Sequence, residues 1–109
     1  MTLSFHPHAH AELRGLAAWY EDQRQGLGAD LRDDVWRALG AIVEHPNRWP
    51  LSTIAAARAL GVRHFVIRRF RLSVEYLIDD DAIQVIAVAY MSRRPGYWLR
   101  RLARRRGVT

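Results

Sequence analysis

Leu3 and Phe5 alternate with polar neighbours, the period-2 pattern of a short strand, which Pro7 cuts off. From about Ala9 the spacing lengthens. Leu13, Leu16, Ala17 and Tyr20 follow i, i+3, i+4, i+7, so a helix with one apolar face is expected, and Glu12, Asp22, Gln23 and Arg24 fill much of its remaining surface. Gly26-Leu27-Gly28 should break that helix and reverse the chain. A second helix is predicted from about Asp30 to Glu44, with Leu31, Val35, Leu39, Ile42 and Val43 on its apolar face. Asp30, Asp33 and Asp34 complement its positive end, and His45-Pro46 stops it. In the resulting hairpin, Leu16, Tyr20, Leu39 and Val43 are expected to face a sheet.

The second half of the chain reads as β. After the link from Pro46 to Pro50, the Ala-rich segment from Ser52 to Gly61 fits either a short helix or an irregular lead-in. Arg63 to Phe70 then alternates, with His64, Val66 and Arg68 on one face and Phe65, Ile67 and Arg69 on the other. Arg71 to Ile78 is a second run, Asp79-Asp80-Asp81 a charged turn, and Ala82 to Tyr90 a strand so apolar that it should be central and covered on both faces. Pro95 can open a last helix, from Gly96 to about Arg105. The predicted class is α+β: an N-terminal strand, a helical hairpin packed on a small, mainly antiparallel sheet, and a C-terminal helix, in the order β-α-α-β-β-β-α.

Length and composition narrow the function classes. The 109 residues, half of them hydrophobic, suit a single domain spanning 1–109. Without cysteine there are no disulfides, thiolate metal sites or cysteine nucleophiles. The first residues lack the pattern of a secretory leader and the longest apolar run is too short to span a bilayer, so a soluble cytoplasmic protein is expected. All 17 basic residues are arginine. Residues 1–54 hold 5 Arg against 7 acidic residues, whereas residues 55–109 hold 12 against 4, so net charge passes from −2 to +8. The C-terminal half should therefore attract an anionic partner, either phosphate backbone or acidic protein. Exclusive use of arginine is also what a GC-rich genome produces.

Several motifs, in order, carry a family resemblance. Glu12-Leu13 with Trp19-Tyr20 after Ala9, then Gly26-Leu27-Gly28, then Ile42 with Pro46 and Pro50 all lie in the first half. Arg63, Arg69-Phe70 and Tyr76 follow, and Ala89 with Arg93-Arg94-Pro95-Gly96-Tyr97-Trp98 closes the series. Over nearly its whole length the chain thus resembles the RelE/ParE superfamily of type II toxin–antitoxin toxins, often labelled plasmid stabilisation proteins, and within it the ParE-like branch. It departs from the pattern twice. Arg71-Leu72 stands where the family often has Pro-Tyr, and Tyr90 where a His commonly follows the last strand's Ala.

The resemblance implies one of two activities. RelE-like members cleave mRNA on the ribosome. That reaction needs an activated 2′-hydroxyl, a stabilised anionic phosphorane-like state and a proton for the leaving oxygen. Here Arg63, Arg69 and Arg93 would clamp the anion, and Tyr97, Tyr90 or His64 would move the proton. Arginine itself stays protonated and makes a poor base, and the RelE-like pattern leans on lysine, which is absent. ParE-like members inhibit DNA gyrase by binding it and trapping the cleaved-DNA state, which needs a contact surface and no catalytic group. The missing lysine and the hairpin with its Gly-Leu-Gly hinge favour gyrase inhibition over a ribosome-dependent endoribonuclease. Arg93, Arg94, Tyr97, Trp98, Arg100, Arg101 and Arg104 are the expected partner-binding set. Arg100, Arg101, Arg104, Arg105 and Arg106 are equally what a solvated helix end would carry. The implied partners are a cognate antitoxin, forming a hetero-oligomer with the chain, and gyrase, with ribosome and mRNA as the alternative. No cofactor, metal or membrane is expected. His6, His8 and His10 alternate like a metal clip, but Pro7 should splay them. Trp19, Trp36 and Trp49 are expected to pack the core or hairpin.

Overall fold

The computed structural model describes the backbone of residues 1–106 and the side chains of residues 1–102. Strand β1 (Thr2–Phe5) leads into helices α1 (Pro7–Gln23) and α2 (Leu27–Glu44), then a short helix α3 (Ala55–Ala59). Strand β2 (Arg63–Ile67), a 3₁₀ turn (Arg68–Phe70), strands β3 (Leu72–Asp79) and β4 (Ala82–Tyr90), and helix α4 (Leu99–Arg106) complete the order. The sheet runs β1-β4-β3-β2, with β1 parallel to β4 and the other pairs antiparallel. The predicted α+β architecture and element order are those observed, and β4 occupies the interior position its largely apolar run required.

The sheet separates two apolar layers. On one face, Val35, Leu39 and Ile42 of α2 and Ala9 and Ala17 of α1 pack on Leu72, Val74, Tyr76, Ile83, Val85 and Val88. On the other, Ala57, Val62, Trp98 and Leu102 cover Leu77, Ile86, Ala87 and Ala89. Tyr76 is fully buried, and its hydroxyl donates to the Pro46 carbonyl at 2.6 Å, which ties the link after α2 to the middle of β3. Burial raises that phenol to about 12.

The Gly-Leu-Gly hinge divides its work differently from a simple break. Gly26 is the left-handed residue, with φ of +92°, and α2 starts at Leu27, so Gly28 lies inside the helix and not in the turn. A Cβ on Gly28 would stand 2.6 Å from the Ala17 carbonyl oxygen, so the absence of a side chain there permits the two helices to approach. Glu21 of α1 accepts from the amides of Gly26 (3.0 Å) and Gly28 (3.0 Å), supplying an N-terminal cap for α2 from the preceding helix. These backbone donors hold its carboxyl below the ordinary range.

Other boundaries also move. The predicted strand to Phe70 stops at Ile67, because Arg68 to Phe70 wind a 3₁₀ turn closed by Arg71 at φ +56°. Proline, fixed near φ −65°, cannot occupy that conformation. The last helix starts at Leu99, since the residues from Pro95 to Trp98 form a turn. The segment left open between Ser52 and Gly61 contains α3. Val43 is 40% exposed and does not face the sheet, whereas Leu39, at 5%, does.

Candidate functional site

Strand β1 has only four residues and covers β4 from Ala82 to Val85, with the His6 amide adding a last bond to the Val85 carbonyl. Beyond that point the β4 edge would carry unpaired backbone groups. The register against β3 also slips here: Tyr76 stands opposite Val85 and Glu75 opposite Ala87, leaving Ile86 as the extra residue of a bulge. Because of the bulge, Ile86 and Ala87 both contribute to the α4-side layer.

Two charged side chains complete this edge. Arg101 donates to the Ile86 carbonyl at 2.8 Å, and Glu12 accepts from the Val88 amide at 3.1 Å. The same two groups pair bidentately, with Arg101 Nη1 2.9 Å from Glu12 Oε1 and Nη2 3.0 Å from Oε2. The Tyr97 hydroxyl donates to Glu12 Oε2, and Arg93 Nη1 lies 3.7 Å from the same oxygen. The Arg93 guanidinium sits 3.8 Å from the centre of the Tyr97 ring. One carboxylate on α1 thereby fastens β4, the turn after it and α4. Glu12 and Arg101 are largely buried, so each depends on the other to offset its desolvation.

This network sets what Tyr97 can do. Burial raises its phenol above the ordinary tyrosine range, and its hydrogen bond to the Glu12 carboxylate raises it further, against the opposing effect of Arg93 and Arg101. At neutral pH the hydroxyl is therefore protonated and its proton is committed to Glu12.

The remaining candidates are held by separate partners. Arg63 donates to the Trp49 carbonyl at 2.6 Å. Arg69 pairs with Asp30 of α2 at 3.0 Å and stacks on Phe70. Neither shares a partner with Arg93. Arg94 and Arg100 are exposed, while Trp98 is buried in the layer beneath α4. Arg101 belongs to the buried network, and the Arg104 side chain lies outside the described residues, as do those of Arg105 and Arg106. Tyr90 and Arg93 line a groove of about 250 Å3 with Leu16, Trp19 and Tyr20.

On the sheet's other face, His64 stands opposite Glu75, and both line a cavity of about 150 Å3 with Ser52, Ser73, Tyr90 and Arg94. Glu75 is only 6% exposed, its carboxylate accepts from the Ser73 hydroxyl, and burial lifts its pKa to about 7 against that bond's opposing effect. Burial shifts His64 the other way, below the ordinary imidazole range. Sequence reasoning passed over Glu75; the available signal was an acidic residue in the middle of a mostly apolar, interior strand. Glu12 stood out only as a motif residue on the polar surface of its helix, because a carboxylate there gives no hint of partners 81 to 89 residues away.

Trp19 (57%) and Trp36 (70%) are exposed and do not pack the core; only Trp49 is half-buried, edge-on against Phe65. Helical periodicity places both exposed tryptophans off the buried stripe of their helices. His6 and His8 lie side by side while His10 packs against Phe5, and no group of three His, Cys, Asp or Glu side chains suited to a metal occurs among the described residues. No helix among those residues is long and apolar enough to cross a membrane.

No protein-family model and no curated protein sequence matches the chain. Among solved structures it is similar to a chain of the chromosomal ParDE TA (toxin–antitoxin) system from P. aeruginosa. The TM-score is 0.70 at 17% identity, over 84% of this chain and 97% of that one. The likeness of motifs and the likeness of backbones therefore point the same way, and this chain shares the fold of that chain of the ParDE system.

Proposed function

We propose that this chain is the toxin of a type II toxin–antitoxin pair and acts by binding DNA gyrase and holding it in its cleaved-DNA state. The observation that carries this reading is the Glu12 network. It uses Tyr97 and Arg93, the residues of the closing motif, to fix α4 against the sheet, and it keeps the Tyr97 hydroxyl protonated and hydrogen-bonded to a buried carboxylate. Such a tyrosine is suited to shaping a surface and poorly suited to abstracting a proton. The fold shared with that chain of the ParDE system supports the same branch. The basic C-terminal half would meet gyrase, its DNA or both.

The antitoxin would be an acidic partner whose C-terminal segment lies over the sheet and hairpin. The groove of Leu16, Trp19, Tyr20 and Tyr90 beside Arg93 suits an apolar side chain flanked by carboxylates. Purified chain added to gyrase and supercoiled plasmid should accumulate linear DNA trapped in cleaved complexes, and adding the product of the adjacent gene should abolish it. Cleavage of ribosome-bound message with gyrase unaffected would replace this reading by the endoribonuclease one.

A further inference from the structure

We infer that the cleft between the start of α1 and the start of α4 is a phosphate-binding site. The cleft has a volume of about 260 Å3 and is lined by His6, His8, Tyr97, Arg100 and Arg101, with no carboxylate among them. Arg101 is held rigidly by Glu12 and the Ile86 carbonyl, yet these contacts engage three of the five N–H donors of its guanidinium and leave two for a ligand. Arg100, next to it, is exposed and has no ion-pair partner among the described residues. Glu12 neutralises only one of the two arginines nearest it, Arg93 and Arg101, so the neighbourhood keeps a positive balance before Arg100 is added.

The backbone of α1 does not supply this site. Its first-turn amides are already engaged: His8 N–H donates to His6 Nδ1 at 3.1 Å, and the amides of Ala9 and His10 donate to the His6 carbonyl. Side chains would therefore hold the ligand, and the positive end of a 17-residue helix would add its field. The donors come from two elements and approach from different directions. A tetrahedral oxyanion can satisfy such a set, whereas a planar carboxylate is matched by one guanidinium fork. The cleft is also roomier than a bare phosphate needs, and the His8 and Tyr97 side chains form part of its lining, which leaves space for a group carried by the phosphate. The site requires neither the gyrase nor the ribosome reading.

The test is an NMR titration of the full chain with three probes: inorganic phosphate, a short single-stranded DNA oligonucleotide and a hexaglutamate peptide. Phosphate should shift the His8 ring and the Arg100 and Arg101 side-chain resonances saturably. Arg100→Ala should weaken that binding about tenfold, in keeping with loss of one charge-assisted hydrogen bond, while Arg94→Ala should leave it unchanged. His8→Ala, also at an exposed position, serves as a second variant and should weaken it as well. An oligonucleotide that binds tighter than inorganic phosphate, with a dependence on salt and on Arg100, would mark the source as a nucleic-acid backbone. An oligonucleotide that binds no tighter would mark it as a small phosphate compound. The proposal is overturned if neither phosphate probe gives saturable shifts at these residues, if both variants bind as the parent does, or if only hexaglutamate binds.

Discussion

Glu75 illustrates how one buried group controls the response of the whole chain to pH. Folding lifts its pKa from an ordinary 4.5 to about 7, so between those values the folded protein keeps a proton that the unfolded chain has lost. Stability should therefore fall as pH rises through this window, by roughly 3 kcal/mol in total, and level off above it. Glu75→Gln, which still accepts from Ser73, should remove that slope. Denaturant melts of the two proteins should agree near pH 4 and separate by pH 8 with the variant more stable; parallel curves would contradict the assignment. At the edge of the sheet, Glu12→Ala leaves Arg101 buried without its partner and the Val88 amide without an acceptor, and should cost about 3–5 kcal/mol. Tyr97→Phe keeps the ring under Arg93 and loses only the donated bond, so about 1–2 kcal/mol is expected in the same melts.

Elements were legible where a period of 2 or 3.6 ran unbroken, and illegible where local geometry depended on contacts distant in sequence. The α2 stripe of Leu31, Val35, Leu39 and Ile42 announced the core face correctly, yet Val43, at the margin of that stripe, is exposed although the adjacent Ile42 is fully buried. No periodicity marks Gly28 as a helix residue, since the reason for glycine is the Ala17 carbonyl on the neighbouring helix. The bulge at Ile86 was equally hidden, because the run from Val85 to Val88 is entirely apolar and gives no alternation whose interruption could show it. The two glycines should consequently respond differently to alanine. Gly26→Ala forces a left-handed residue to carry a side chain and should cost about 1 kcal/mol. Gly28→Ala has to push the helices apart and should cost about 1–3 kcal/mol. Leu39→Ala, in the packed layer, should cost about 2–5 kcal/mol. Chemical denaturation of the three variants checks the order.

At the scale of the molecule, the sheet divides the chain into a hairpin side and an α4 side, and Glu12 joins them at the edge where β1 ends. The family resemblance anticipated this architecture, but not the roles of its residues. Arg63, Arg69 and Arg93 were grouped as an anion clamp on residue type alone, and folding gives each its own partner. The α4 segment likewise is no detachable tail. Arg101 and Leu102 are built into the network and the buried layer, so deleting residues 99–109 should unfold that face as well as remove charge. The sharper probe of function is a substitution that keeps the fold. Gyrase-mediated plasmid cleavage, measured across a titration of the purified chain and of its Tyr97→Phe variant, tests the central claim that Tyr97 shapes a binding surface. Both proteins should trap cleaved complexes, with the variant's potency reduced by no more than about tenfold, as loss of one hydrogen bond allows. Absence of trapped complexes with either protein, together with message cleavage that falls by orders of magnitude in the variant, would contradict the account.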